Sequence, residues 1–374
     1  MSPNAAFLYD FLQVPGGAEQ VALHVHRTFD EIDLTFGFID RCSFPEGSLT
    51  HSRIQALTSA STVPGWQGIK TMSAFERKSA FLQNYQTVIY SGVYAPVAIK
   101  HHFKGRNIYY CHTPPRFVYD LRDYYSEQAN IWQKPLLNSL VRYLEPRYEK
   151  ALRRMDVIVA NSTNVRDRLQ KYLGISNAKV IYPPVDISKF TCQGQGDYYL
   201  STARLEPYKR VESIVRAFMQ MPEKNLVVAS GGSEMLRLKK LSSGHQNISF
   251  LGWCSSSKLQ QKIGNCIATI YLPYDEDFGM SPVESMAAGK PVIGVAEGGL
   301  LESVVHNETG LLIGPGELGH DSSGANYEGI KAIIRAIYKM DGATALGMRS
   351  ACEKRATLFS SKVFDKKFKE LINT

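Results

Sequence analysis

Residues 274–302 read YDEDFGMSPVESMAAGKPVIGVAEGGLLE, and the order of strand, glycine and carboxylate around this stretch decides how the chain folds. The apolar run IATIYLP at 267–273 precedes it, and ESMAAG at 284–289 has helical composition. Glu276 therefore falls in a loop leaving a strand, and Glu284 in the first turn of a helix. In doubly wound α/β sheets this junction binds ligands, because unpaired N–H groups and the positive end of the helix dipole meet there. Gly279 lets backbone approach a bulky group, and Ser281 and Pro282 suit a helix start. The same residues, Ser281 to Glu284, also read as a capping box with serine at N-cap, proline at N1 and glutamate at N3, which needs no ligand. A second unit follows: VIGV at 292–295 reads as the next strand, and Gly298-Gly299 opens the helix after it. Two successive glycine-bearing strand-to-helix turns make a cradle suited to a diphosphate.

The alternation extends through the chain. The strand-like run at 5–9 leads through Pro15-Gly16-Gly17 into a helix pattern carrying Val21, Leu23, Val25 and Phe29, the first unit of a Rossmann-like domain. It lacks a full Gly-x-Gly-x-x-Gly fingerprint, so a nicotinamide cofactor is not indicated. Further strands are read at 34–39 and 87–91, and at 107–111, where the chain continues into His112 and breaks on Pro114-Pro115. Residues 135–155 show amphipathic spacing and are read as a core-facing crossover helix in preference to a membrane-surface one. A boundary falls near Pro183-Pro184, with a polar linker at 191–197. A second alternating series then begins at 198–203. Arg204 and Lys209 follow this strand end and could neutralise a diphosphate, although a basic pair in a loop is also ordinary solvated surface. Glycine turns recur at Gly231-Gly232 and at Gly252-Trp253.

Composition sets limits. At 374 residues, two domains are expected. The hydrophobic content of 44% and charged content of 21% describe a globular chain without low-complexity tracts. No run reaches the roughly 18–20 apolar residues that span a bilayer, and the start MSPNAAFLYDF lacks the order of a signal peptide, so a cytoplasmic location is expected. Six scattered cysteines form neither a disulfide framework nor a zinc motif. The net charge is +8; residues 1–190 hold 22 Lys and Arg against 16 Asp and Glu, and the remainder 21 against 19. The excess forms no concentrated run and accompanies no nucleic-acid motif, which excludes a nucleic-acid partner from the reading. A basic first half would favour anionic lipid headgroups, or simply keep the chain in solution.

The uninterrupted segment EDFGMSPVESMAAGKPVIGVAEGGLLESVVHNETGLLI at 276–313, with ARLEPYKR at 203–210, resembles the retaining glycosyltransferases of family 4 and their Glu-x7-Glu motif. Asp277 stands where glycine is commoner in that family. The resemblance implies an α/β fold of two Rossmann-like domains facing across a cleft (GT-B), with residues 1–190 binding acceptor, 191–359 binding a nucleotide sugar, and a C-terminal helix at 360–374 crossing back. It implies Arg204 and Lys209 on the donor diphosphate, Glu276 on the donor sugar, Glu284 on the ribose, and His112 on sugar or acceptor. Gly16, Gly17, Gly252, Phe278, Gly279, Met280, Ser281 and Gly299 would complete the donor-binding set. No cofactor or metal is expected, although Asp275-Glu276-Asp277 also spells the Asp-x-Asp of metal-dependent transferases. The segment YCHTPPR at 110–116 is similar to bacterial mannosyltransferases of O-antigen and polysaccharide assembly. GDP-mannose is thus the expected donor and a polyprenyl-diphosphate-linked glycan the expected acceptor, with peripheral contact to the inner face of the plasma membrane. A UDP-hexose enzyme and a non-catalytic nucleotide-sugar-binding protein remain the alternatives.

Overall fold

The computed structural model describes residues 4–13, 16–40, 42–44, 53–61, 66–318 and 327–373. Pro15 of the first glycine turn, and Asn326, lie outside them. The chain divides into two compact units, Met1–Pro183 with Asp365–Thr374, and Pro184–Phe364. The first division falls at the Pro183-Pro184 pair read as a boundary, ahead of the domain limit of 191, and the second at Asp365, where the resemblance implies 360. The bridge between Val185 and Ser360 shows why: both segments already pair within the second unit.

The first unit holds a seven-stranded sheet made of β1 (Ala5–Leu12), β2 (Ile32–Ile39), β3 (Ile54–Ala56), β4 (Thr87–Ser91), β5 (Arg106–Cys111), β6 (Val157–Ala160) and β7 (Lys179–Val180), in the order β3-β2-β1-β4-β5-β6-β7. The second holds six strands, β8 (Tyr198–Ser201), β9 (Asn225–Val228), β10 (Ile248–Phe250), β11 (Thr269–Tyr271), β12 (Val292–Val295) and β13 (Gly310–Ile313), in the order β10-β9-β8-β11-β12-β13. The paired strands are parallel in both sheets. Each parallel connection needs a crossover, and the intervening helices cover the sheets, which is why strands such as VIGV at β12 are buried throughout. Strand order reverses between β1 and β4 in one sheet and between β8 and β11 in the other. Loops leaving adjacent strands there part to opposite faces and open a crevice at the carboxyl edge.

In the first unit a carboxylate fills that place. Asp10, buried near the end of β1, accepts hydrogen bonds from the N–H groups of Val93 (2.5 Å), Tyr94 (2.8 Å) and Ala95 (2.9 Å). It thereby satisfies the start of the 3-10 helix Ala95–His101. Burial raises its pKa to about 6 against the opposing pull of the three donors. Gly92, at φ +90°, brings the backbone so close that a Cβ there would lie 2.5 Å from Asp10 Oδ2.

The helix Gln133–Leu152 differs from the core-facing expectation along half its length. Val141, Leu144, Tyr148, Ala151 and Leu152 are buried on the sheet, whereas its first turns are not covered. Ile131 and Trp132, just ahead of it, are 76% and 87% exposed. Among the described residues no helix is long and apolar enough to cross a membrane.

Asp10→Ala would leave the buried N–H groups of Tyr94 and Ala95 and the half-buried one of Val93 without their acceptor, at about 1–3 kcal/mol for each group not reached by water. The midpoint of the first unit's thermal unfolding should fall by about 5–10 °C. An unchanged midpoint would show that the Asp10 contacts do not stabilise the unit.

Candidate functional site

In the second unit the residues singled out from the sequence follow the carboxyl ends of successive strands. Arg204 and Lys209 follow β8, Gly252 follows β10, Glu276 follows β11 and Gly299 follows β12. Lys209 and Glu276, 67 positions apart, meet at the crevice between β8 and β11, with Lys209 Nζ donating to Glu276 Oε2 at 2.5 Å. Both side chains are largely buried, at 9% and 15% exposure. Burial by itself would lower the lysine pKa; the Glu276 charge, backed by Tyr271, outweighs burial and the opposing Arg204 charge and raises it. The ammonium is therefore fixed, charged and close to Arg204, which is exposed. The rings of Tyr208 and Tyr271 lie 5.3 and 5.8 Å from Nζ.

Beyond Glu276 the chain turns through Gly279, whose φ of +82° suits glycine, into the helix Met280–Ala287. This corrects the capping-box reading. Gly279 is the N-cap, no side chain caps the helix, and Ser281, Pro282 and Glu284 sit further inside than the Ser-Pro-x-Glu spelling implies. The pattern misleads because Gly279, free of a Cβ, turns the chain before the serine can. A Cβ at Gly279 would lie 3.5 Å from Glu276 Cγ, so the helix N-terminus stands directly against the Glu276 side chain. Its first N–H groups, on Met280 and Ser281, lack a capping side chain, and the dipole favours an anion there. Glu284 is half-buried, and burial raises its pKa to about 7.

The glycines after β12 are explained by packing. At Gly298 (φ +61°) a Cβ would lie 2.5 Å from the Glu276 carbonyl oxygen, and at Gly299 one would lie 2.4 Å from Phe278 Cα. The Gly299 N–H donates to the Glu276 carbonyl at 2.8 Å. This turn thus presses backbone on backbone against the Glu276 loop. Phe278, placed by the resemblance among donor contacts, is buried, its ring against Phe359 at 5.4 Å between centroids and its main chain against Gly299. Gly252 has φ +69°; Trp253 beside it is 65% exposed, and its indole edge lies over Gly231.

Sequence reading passed over a second ion pair. Arg210, fully buried, donates from Nη1 to Glu297 Oε1 at 2.8 Å. Its signal was the glutamate directly ahead of Gly298-Gly299, which carried no assignment.

The first unit holds the other candidates. Gly16 is the N-cap of the helix Gly17–Thr28, and a Cβ at Gly16 would lie 2.5 Å from Glu19 Oε2, so this turn presents the helix's own carboxylate. His112 leaves the carboxyl end of β5, its ring edge-on to Tyr9 (5.8 Å) and Tyr110 (5.2 Å).

Comparison with known proteins bears on the family and the fold. The family described as Glycosyltransferase Family 4 matches residues 15–189, and the one described as Glycosyl transferases group 1 matches 186–321. The chain is 27% identical over 246 residues to the alpha-1,3/1,6-mannosyltransferase ALG2 of Mus musculus, covering 57% of each protein. It is 25% identical over 184 residues to the O-antigen chain mannosyltransferase RfbU of Salmonella typhimurium, covering 47% of this chain and 50% of that one. It thus spans about half the length of the curated relatives it matches. The crystal structure of Anabaena HepE in complex with UDP and glucose shares the fold over 99% of both chains, with a TM-score of 0.73 at 18% identity. With both halves matched in order and a Glu-x7-Glu pair set at the second sheet's switch point, the chain belongs to the family 4 glycosyltransferases, with their pair of Rossmann-like GT-B domains.

Proposed function

We propose that this chain is a retaining hexosyltransferase that moves mannose from GDP-mannose to a lipid-linked glycan. The observation that carries the reading is the buried Lys209–Glu276 pair, set at a switch point against a helix N-terminus with no side-chain cap. As the glycosidic bond breaks, negative charge collects on the β-phosphate oxygen. Fixed cations at Lys209 and Arg204, with the N–H groups of Met280 and Ser281, favour that charge more than the ground state. No metal is needed for this. The acceptor hydroxyl attacks on the face the phosphate leaves. An oxygen–carbon bond forms at the anomeric centre, the carbon–phosphate oxygen bond breaks, and the acceptor proton passes to the departing phosphate oxygen. Glu276 is assigned to the donor sugar hydroxyls, Glu284 to the ribose, and His112 to sugar or acceptor.

Mannose is supported by the mannosyltransferase names of the relatives, ALG2 and RfbU. A UDP-hexose is the second reading, favoured by the UDP and glucose held in the HepE structure. The charges at Arg204, Lys209 and Glu276 argue against a non-catalytic binder. Contact with a membrane surface is supported by the uncovered Ile131, Trp132 and Leu136 at the start of the helix Gln133–Leu152.

Arg204→Ala and Lys209→Ala should each lower the turnover of GDP-mannose by about 100-fold, with unfolding still cooperative; wild-type turnover in both would remove the diphosphate site. Glu284 ties binding to pH. Its folded pKa of about 7 lies above the ordinary carboxyl value, so the folded protein holds an extra proton between about pH 4.5 and 7, and stability declines as pH rises through that window. Ribose hydroxyls donate to the ionised form, so GDP-mannose affinity should rise by about tenfold from pH 5.5 to 7.5. Glu284→Gln should abolish that rise and add a few degrees to Tm at pH 8 but not at pH 4.5; a pH-independent wild-type affinity would refute the ribose assignment. Replacing Ile131 and Trp132 together by serine should cut sedimentation with anionic vesicles by about fivefold and leave nucleotide affinity unchanged. Undiminished sedimentation would exclude this rim as the membrane contact.

A further inference from the structure

Among the described residues three that are not glycine have positive φ: Arg210 (53°), Asp275 (41°) and Asn307 (64°). Left-handed backbone is disfavoured for residues with a Cβ and persists where surrounding contacts enforce it. Two of these three are held by the same atom. Glu297 Oε1 accepts from Arg210 Nη1 at 2.8 Å and from the Asp275 N–H at 3.3 Å. Each lies beside a site residue, Arg210 after Lys209 and Asp275 before Glu276. Glu297 itself precedes Gly298, whose backbone packs on the Glu276 main chain. The Arg210 guanidinium also lies 5.1 Å from the centroid of the Tyr274 ring, one position before Asp275.

We propose that Glu297 is a positioning residue: its carboxylate holds the β8 and β11 loops in their left-handed turns and so fixes the Lys209–Glu276 pair. Glu297 acts through the backbone on either side of the pair, at Arg210 and Asp275. A glycine at 210 or at 275 would take the required φ without help. The chain carries arginine and aspartate there, and Arg210, once buried, requires a partner charge. The catalytic consequence rests on the assignment of Lys209 to the donor diphosphate, whereas the structural part does not.

The test uses Glu297→Gln in the full chain with two readouts. One is the rate at which acetic anhydride acetylates Lys209, followed by peptide mass spectrometry; the other is affinity for GDP. Loosening the pair should raise Lys209 acetylation by about tenfold and weaken GDP binding by at least about fivefold. Adding Arg210→Gly and Asp275→Gly to the same chain removes the buried guanidinium that has lost its partner charge and suits both turns, and should bring both readouts back to within about threefold of wild type. If the single variant fails to fold, the triple variant decides: a protected Lys209 supports the proposal and an exposed one overturns it. Unchanged acetylation in a folded Glu297→Gln protein, or no recovery in the triple variant, also overturns it. If wild type binds no GDP while acetylation responds as stated, the donor assignment fails and the positioning role stands.

Discussion

A buried ammonium and a buried carboxylate 2.5 Å apart, Lys209 and Glu276, are the interaction on which the second unit's carboxyl edge is built. Removing either group would strand the other charge in the interior, at several kcal/mol. The pair also needs two loops that leave different strands to arrive together, and the reversal of strand order between β8 and β11 brings them there. The first unit meets the same topological situation in another way. Between β1 and β4, Asp10 takes up three backbone N–H groups and closes the crevice with the protein's own atoms. One sheet plan thus yields a sealed switch point in one unit and, in the other, an ion pair set against a helix N-terminus.

The glycines around the pair divide by physical cause. Gly279 turns the chain at φ +82° so that a helix starts beside Glu276. Gly298 and Gly299 are small because the Glu276 and Phe278 main chain occupies the space a Cβ would need. Alanine at either would push the Glu276 loop away and disturb the ion pair without touching a charged group. The same reasoning separates Glu276, already committed to Lys209, from Glu284, whose carboxyl is raised to about 7 by burial. Two carboxylates of one motif therefore sit in different surroundings, one in an ion pair and one held by burial.

Much of the fold was legible because alternating apolar runs and glycine turns are local signals. The strands 87–91 and 292–295 lie where the sequence put them. The short β3 was not read, since Ile54–Ala56 carries too little apolar pattern. The residues after the strand ends were legible as candidates, yet their partners were not. Lys209 with Glu276, Arg210 with Glu297 and Asp10 with Val93–Ala95 are contacts across 67, 87 and 83 to 85 positions, which no local pattern encodes. The helix start at Gly279 was missed for a different reason. A Ser-Pro-x-Glu spelling fits a cap, but backbone conformation at the preceding glycine decides where the helix begins.

The central claim is that the second unit's Lys209–Glu276 site holds a nucleoside diphosphate without metal. The direct measurement is thermal unfolding of the wild-type chain in EDTA with GDP, UDP or ADP, each alone and as its mannose or glucose conjugate. A ligand at 100 times its Kd stabilises the native state by about 2.7 kcal/mol, so GDP and GDP-mannose should raise Tm by several degrees while ADP does not. A shift with UDP ligands would keep the site and change the donor, whereas no shift with any nucleotide would contradict the account.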